Sequence, residues 1–158
     1  MKSAIACHFS WAVPTDEAIN AIRGHTSNVI EIGCGSGYWA WLMQQAGITV
    51  TAVDKTRPNF AWHPVHVGNE LEVSNHPDKA LFLCWPPWGD AMAYRALKNY
   101  AGTHVIYVGE WLGGSAEPFF FTHLVKNFKA ISGVAIPQWY MRDDSLIVFR
   151  RRSSKANA

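Results

Sequence analysis

The sequence predicts an α/β domain in which strands and helices alternate, and three observations carry that reading. The run Val29-Ile30-Glu31-Ile32 flows into Gly33-Cys34-Gly35-Ser36-Gly37 and then into a helical pattern, which is a strand, a tight turn and a helix start. A second β-branched run ends on Asp54, twenty-one residues after Gly33. That is the separation one βαβ unit needs to bring a carboxylate beside a ribose diol held over the first turn. Beyond Asp54 the alternation continues, and seven strands fit the chain.

Taken in order, Thr15 caps a first helix with Asp16 and Glu17 in its opening turn, Ala18, Ile19 and Ile22 on its buried side and Gly24 at its end. The glycines after the first strand permit positive φ and close approach of a ligand, and the N–H groups of the next helix start face the same place, which suits a polar, nucleoside-bearing molecule. That helix covers 37–46, with Trp39, Leu42, Met43 and Ala46 on one face and Gly47 closing it. The second strand covers 48–53. Two prolines in 55–64 argue against a full helix there.

Val65-His66-Val67 reads as a short strand and 80–84 as a buried one. A helix over 90–100 turns Ala93, Ala96, Leu97 and Tyr100 inward, and 105–108 is another strand. The next helix, 118–128, starts on Pro118 and places Phe121, Leu124, Val125 and Phe128 on one face. Two strands, 129–136 and 145–150, end the fold around a turn containing Pro137, Asp143 and Asp144.

Composition bounds the function. At 158 residues and 49% hydrophobic, the chain builds one core, assigned to residues 1–150. A net charge of +2 with scattered basic residues does not describe a nucleic-acid binder. The one basic cluster, Arg150-Arg151-Arg152-Ser153-Ser154-Lys155, reads as a frayed, flexible tail over 151–158. Cys7, Cys34 and Cys84 are odd in number and lack paired short spacings, so neither a disulfide framework nor a metal site is expected, and His63, His66 and His76 match no ligand spacing. No signal peptide or membrane span is read, and a cytoplasmic location is expected.

Glu31-x-Gly33-x-Gly35-x-Gly37 together with Asp54 resembles motif I and the acidic loop of class I S-adenosylmethionine-dependent methyltransferases. The dinucleotide pattern Gly-x-Gly-x-x-Gly would require glycine at position 38, where Tyr38 stands. The resemblance covers nearly the whole chain. It implies a single-domain Rossmann-like sandwich whose seven-stranded sheet is mostly parallel with an antiparallel last strand, and minimal helix between the second and third strands. It further implies that the backbone of Gly33 to Gly37 holds the amino-acid part of S-adenosylmethionine, that Glu31 orders the loop and that Asp54 accepts from the ribose hydroxyls. Cys34, Ser36, Tyr38, Cys84 and Trp85 complete the expected cofactor contacts. Trp11, in the segment before the first helix, either folds over the cofactor's methionine end or staples that helix to the sheet.

Trp85-Pro86-Pro87-Trp88 is similar to the Asp/Asn-Pro-Pro-aromatic motif of amino methyltransferases, with Trp85 at the polar position, and to short methyltransferase-like proteins carrying a Trp-Pro-Pro-aromatic motif. The substitution removes the acceptor for a target amine. Pro86, Pro87 and Trp88 then form either an aromatic slot for substrate or a rigid turn. Trp85, Trp88, Trp111 and Trp139 each follow a predicted strand end, where parallel sheets gather their ligands, so they are expected to surround one mouth suited to a planar ring or a cation, unless they are core. Glu110, after the fifth strand, is the first candidate for a general base beside a catalytic Trp85, with loop ordering as its other role. Cys34 and Cys84 end neighbouring strands, as small buried packing residues or as a redox-sensitive pair.

The function this implies is methyl transfer to a small aromatic or nitrogenous acceptor, releasing S-adenosylhomocysteine. The alternatives are a non-catalytic cofactor-binding or interaction protein, and a methyltransferase acting on a protein or nucleic acid. Oligomeric state is open.

Overall fold

Strand β1 (Asn28–Ile32) lies inside the sheet with Val29, Ile30, Glu31 and Ile32 all buried, as expected of a strand covered on both faces. In this computed structural model, which describes residues 2–139 and 141–153, β1 is followed by β2 (Thr49–Asp54), β3 (Val65–Val67), β4 (Ala80–Cys84), β5 (His104–Glu110), β6 (Phe128–Ala135) and β7 (Asp144–Arg151). The seven strands run in the order β3-β2-β1-β4-β5-β7-β6. β1 pairs parallel with β2 and β4, β2 with β3 and β4 with β5, while β7 is antiparallel to both its neighbours. The strand order reverses between β1 and β4, and that switch point opens a crevice at their carboxyl ends.

Period-2 alternation divides β4 between two cores. Phe82 packs with α2 (Asp16–Arg23) and α3 (Tyr38–Gln45) through Ile19, Ile22, Trp39 and Met43. Leu81 and Leu83 pack on the opposite face with α4 (Met92–Asn99) and α5 (Pro118–Asn127) through Leu97, Phe120 and Leu124. The Thr15 hydroxyl accepts from the N–H of Ala18, the cap read from the sequence.

Four expectations change. Helix α1 (Lys2–His8) was not anticipated, because seven residues without a capped start are below the length at which local pattern signals a helix. A 3-10 helix (Glu70–Asn75), capped by Asn69, fills part of the connection into β4. In α5 the buried set is Phe120, Phe121 and Leu124, whereas Val125 is 46% exposed, since the helix axis turns its apolar face one residue earlier. Arg151 and Arg152, expected at the start of a flexible tail over 151–158, are tied to the fold. Arg151 is the last residue of β7, donating from Nε to the carbonyl of Gly102 (2.8 Å) and from Nη2 to that of Tyr100 (2.6 Å), with its guanidinium 4.5 Å from the Phe128 ring centroid. Arg152 donates to the carbonyls of Val125 and Phe128, and residues 154–158 lie outside the described residues. No helix among the described residues is long and apolar enough to cross a membrane.

Candidate cofactor site

The turn after β1 is held by backbone geometry that glycine supplies. Gly33, Gly35 and Gly37 have φ of +75°, +56° and +73°. The N–H groups of Gly33 and Cys34 donate to the Val53 carbonyl at 2.8 and 3.1 Å, tying the turn to the end of β2. A Cβ on Gly37 would stand 3.1 Å from the Cβ of His63, so the 55–64 loop presses on this glycine, whereas Gly35 faces open space. His63 itself is buried and its Nδ1 meets the Pro64 carbonyl at 2.8 Å.

Asp54, at the tip of β2, closes the same turn. One carboxylate oxygen accepts from the Gly35 N–H (2.9 Å), the other from the N–H (3.1 Å) and hydroxyl (3.3 Å) of Thr56. A carboxylate has about four lone-pair sites, so Asp54 keeps capacity for a ligand hydroxyl.

Two cavities meet over this turn. The first, about 240 Å³, is walled by Trp11, Glu31, Gly33, Cys34, Gly35, Ser36, Tyr38, Asp54 and Cys84, bringing together nine residues expected to contact cofactor. The second, about 250 Å³, is walled by Trp85, Pro86, Pro87, Asn69, Met92 and Arg95, among others, and shares Gly33, Asp54 and Cys84 with the first. Of the remaining expected contacts, Gly37 faces His63 instead, and Trp85 belongs to the second cavity. At the mouth of that cavity Arg95 is ion-paired with Glu70 and Asp90.

The N-terminal segment covers the first cavity through Ala6, Cys7, Phe9, Ser10 and Trp11. Trp39 Nε1 donates to Ser10 Oγ (2.9 Å), Ser36 Oγ to the Phe9 carbonyl (3.1 Å) and Trp62 Nε1 to the His8 carbonyl (2.9 Å). Trp62 stands at the hub of an aromatic cluster with centroid distances of 5.8 Å to His8, 5.5 Å to Phe9, 5.2 Å to Tyr38, 5.1 Å to Trp41 and 5.4 Å to Phe60. Sequence reading missed Ser10 and Trp62 because their partners lie 29 and 54 residues away.

The charge of the first cavity is one-sided. Glu31 and Asp54 line it, and among the described residues no Lys, Arg or His does. Glu31 is 2% exposed, and its Oε2 has no hydrogen-bond partner among the described residues. Burial, and then the neighbouring Asp54, push its carboxyl up to about 8, opposed by the backbone N–H of Ala40. Burial and the Glu31 charge likewise push the Cys34 and Cys84 thiols up, so both sulfurs stay protonated at neutral pH.

The expected acceptor side is reorganised. Trp85, at φ +49°, commits its indole Nε1 to Asp144 Oδ1 (2.7 Å), with Arg142 5.0 Å over the ring. Trp111 does not join a mouth. Partly buried, it packs against the core beside Phe121 at 4.8 Å and Phe149 at 5.7 Å. Trp88 is 65% exposed outside both cavity walls, and Trp139 lines a separate groove of about 230 Å³ with Ile5, Phe9, Val13 and Tyr38. Glu110 is absent from both walls as well. Its oxygens accept from the N–H of Gly114 (2.9 Å), the Arg142 guanidinium (3.3 Å) and the N–H of Asp143 (3.2 Å), which makes it a tie between two loops rather than a base facing the crevice. Among the described residues no three His, Cys, Asp or Glu side chains converge as metal ligands.

No protein-family model matches the sequence, and no curated protein matches it. The architecture does have solved counterparts. The 1,6-didemethyltoxoflavin-N1-methyltransferase of Burkholderia thailandensis, solved with 1,6-didemethyltoxoflavin and S-adenosylhomocysteine, superposes with a TM-score of 0.63 at 16% identity, over 86% of this chain and 77% of that one. A ribosomal protein L11 methylase from Lactobacillus delbrueckii subsp. bulgaricus gives 0.59 at 13% identity, over 89% and 81%. An rRNA methylase from Streptococcus thermophilus gives 0.53 at 12% identity, over 88% and 97%. Their substrates span a small molecule, a protein and an RNA, while the topology is common to all: the chain has the Rossmann-like fold of these methyltransferases.

Proposed function

We propose that this protein binds S-adenosylmethionine across the two joined cavities and transfers its methyl group to a small aromatic or nitrogenous acceptor admitted beside Trp85, Pro86 and Pro87. The observation that carries the reading is the first cavity itself: two carboxylates and, among the described residues, no basic side chain and no partner for the buried Glu31 Oε2. Buried polar atoms are satisfied in native structures, so a cavity-lining carboxylate with an orphaned oxygen suits a cationic ligand. S-adenosylmethionine supplies an ammonium and an electrophilic methyl carbon on a positively charged sulfur.

In this assignment Glu31 receives the ammonium, the open face of Gly35 lets the ligand's amino-acid part lie against the backbone, and Asp54 accepts from ribose hydroxyls with its remaining lone pairs. Tyr38 and Trp11 supply aromatic wall near the positive charge. The second cavity, with Met92 and Pro86 beside Asn69, offers a slot for a flat ring. The N-terminal cover keeps water from the reacting atoms, and catalysis comes from holding donor and acceptor in line. Glu110 takes no part in proton transfer, because its oxygens are committed to loop donors.

A second reading, cofactor binding without turnover, is supported by Trp85, whose polar edge is spent on Asp144 and offers nothing to orient an amine. Calorimetric titration with S-adenosylmethionine and S-adenosylhomocysteine tests the common part. Micromolar binding, about −8 kcal/mol, weakened in Asp54→Ala, is the expected result, and well-folded protein that binds neither ligand overturns it. Release of S-adenosylhomocysteine with an aromatic or amine acceptor then separates enzyme from binder.

A further inference from the structure

Glu31 poses a problem of charge that the cofactor reading alone does not solve. It is buried, and among the described residues one of its oxygens lacks a partner and the titratable groups on the same cavity wall are carboxyls, thiols and a phenol. Asp54 approaches from β2, Cys84 from β4, Cys34 from the Gly-rich turn, and the cover and α3 add the Cys7 thiol and the Tyr38 phenol to the same cavity wall. Among the described residues no basic side chain stands on that wall to balance an ionised Glu31. Burial and the neighbouring Asp54 both disfavour the ionised form of Glu31, while Asp54 accepts from three donors at the exposed edge of the turn.

We infer that Glu31 carries a proton in the ligand-free protein and gives it to solvent when an ammonium-bearing ligand enters, so that the cavity exchanges one cation for another. This inference rests on the S-adenosyl reading and deepens it. Glu31 becomes the residue that specifies the ligand's ammonium, and the proton is the ion it displaces. The exchange balances: a carboxylic acid O–H is lost, a carboxylate–ammonium contact forms, and the proton passes to buffer. The thiols of Cys34 and Cys84 take no part, since burial keeps them protonated throughout. In free protein the acid titrates at about 8, so near pH 6.5 binding releases about one proton and affinity rises about tenfold per pH unit, a dependence that fades above pH 8.

The test is calorimetry of the full chain with S-adenosylhomocysteine at pH 6.5 in two buffers of different ionisation enthalpy, beside 5′-methylthioadenosine, which has the nucleoside but no ammonium. The expected result is release of about one proton for S-adenosylhomocysteine, none for 5′-methylthioadenosine, and none for either ligand with Glu31→Gln. Buffer-independent enthalpy for S-adenosylhomocysteine, or equal release with 5′-methylthioadenosine, overturns the inference while leaving the cofactor site intact. Absence of S-adenosylhomocysteine binding by folded protein overturns both. Should Glu31→Gln not fold, the two-ligand comparison on the natural protein decides the matter by itself.

Discussion

Trp85 Nε1 and Asp144 Oδ1 form a 2.7 Å hydrogen bond between the loop after β4 and the first residue of β7, fifty-nine positions apart in sequence. The bond commits the polar edge of the indole to β7, so that it offers no donor to a ligand. Asp144 is 1% exposed and its Oδ2 is unpartnered, with burial raising its pKa above the ordinary aspartate value. Trp85→Phe strips the remaining oxygen of its donor. Unfolding by urea should show a loss of about 1–3 kcal/mol, the cost of leaving a buried polar group unsatisfied. A smaller loss than for an exposed tryptophan such as Trp88 would show that the bond does not form.

Glu31 places binding and stability in opposition. Between pH 4.5, its ordinary value, and about 8 the unfolded chain has released the proton and the folded protein retains it, so this group lowers stability progressively as pH rises through that window and by a constant amount above it. Glu31→Gln removes the penalty. At pH 7 the variant should be more stable by roughly 3 kcal/mol, the difference vanishing near pH 4, while binding S-adenosylhomocysteine more weakly. Denaturant midpoints at pH 4, 7 and 8.5 check the sign, and a variant less stable at every pH would contradict it.

Gly37 and Gly35 have similar positive φ but different surroundings, and substitution by alanine should separate the two effects. Gly35→Ala meets open space and should cost only the left-handed backbone penalty, about 1–2 kcal/mol. Gly37→Ala adds a contact at 3.1 Å with His63 and should lose about 1 kcal/mol more by displacing the 55–64 loop. Paired thermal melts of the two variants measure the difference directly.

Trp62→Ala removes the hub of the aromatic cluster and the donor to the His8 carbonyl. The expected outcome is faster amide exchange in residues 4–9 and faster dissociation of S-adenosylhomocysteine, with little change in exchange across β1 and β4. Uniform loss of protection would place Trp62 in the global core instead.

In α5, Phe120→Ala should cost about 3–5 kcal/mol and Val125→Ala less than about 0.5 kcal/mol, since Phe120 is fully buried and Val125 is 46% exposed. Equal effects in urea unfolding would mean that the helix rests on the sheet by the other face.

The sequence by itself determined the α/β class, the order of strands and helices through most of the chain, the Gly-rich turn and the separation that sets Asp54 over it. These features are local. A βαβ unit has a short, nearly obligatory geometry, so spacing along the chain becomes spacing in the crevice, and nine expected cofactor contacts share one cavity wall. What only the tertiary structure decided depends on contacts between distant segments. Residues 2–8 become helix where Trp62 receives them, Trp111 packs against the core beside Phe149, Glu110 is drawn onto the loops by Arg142, and Trp85 is tied to Asp144. A side chain just past a strand end has several directions open to it. Pattern and propensity fix none of them; the partner that satisfies its polar atoms or covers its apolar face does.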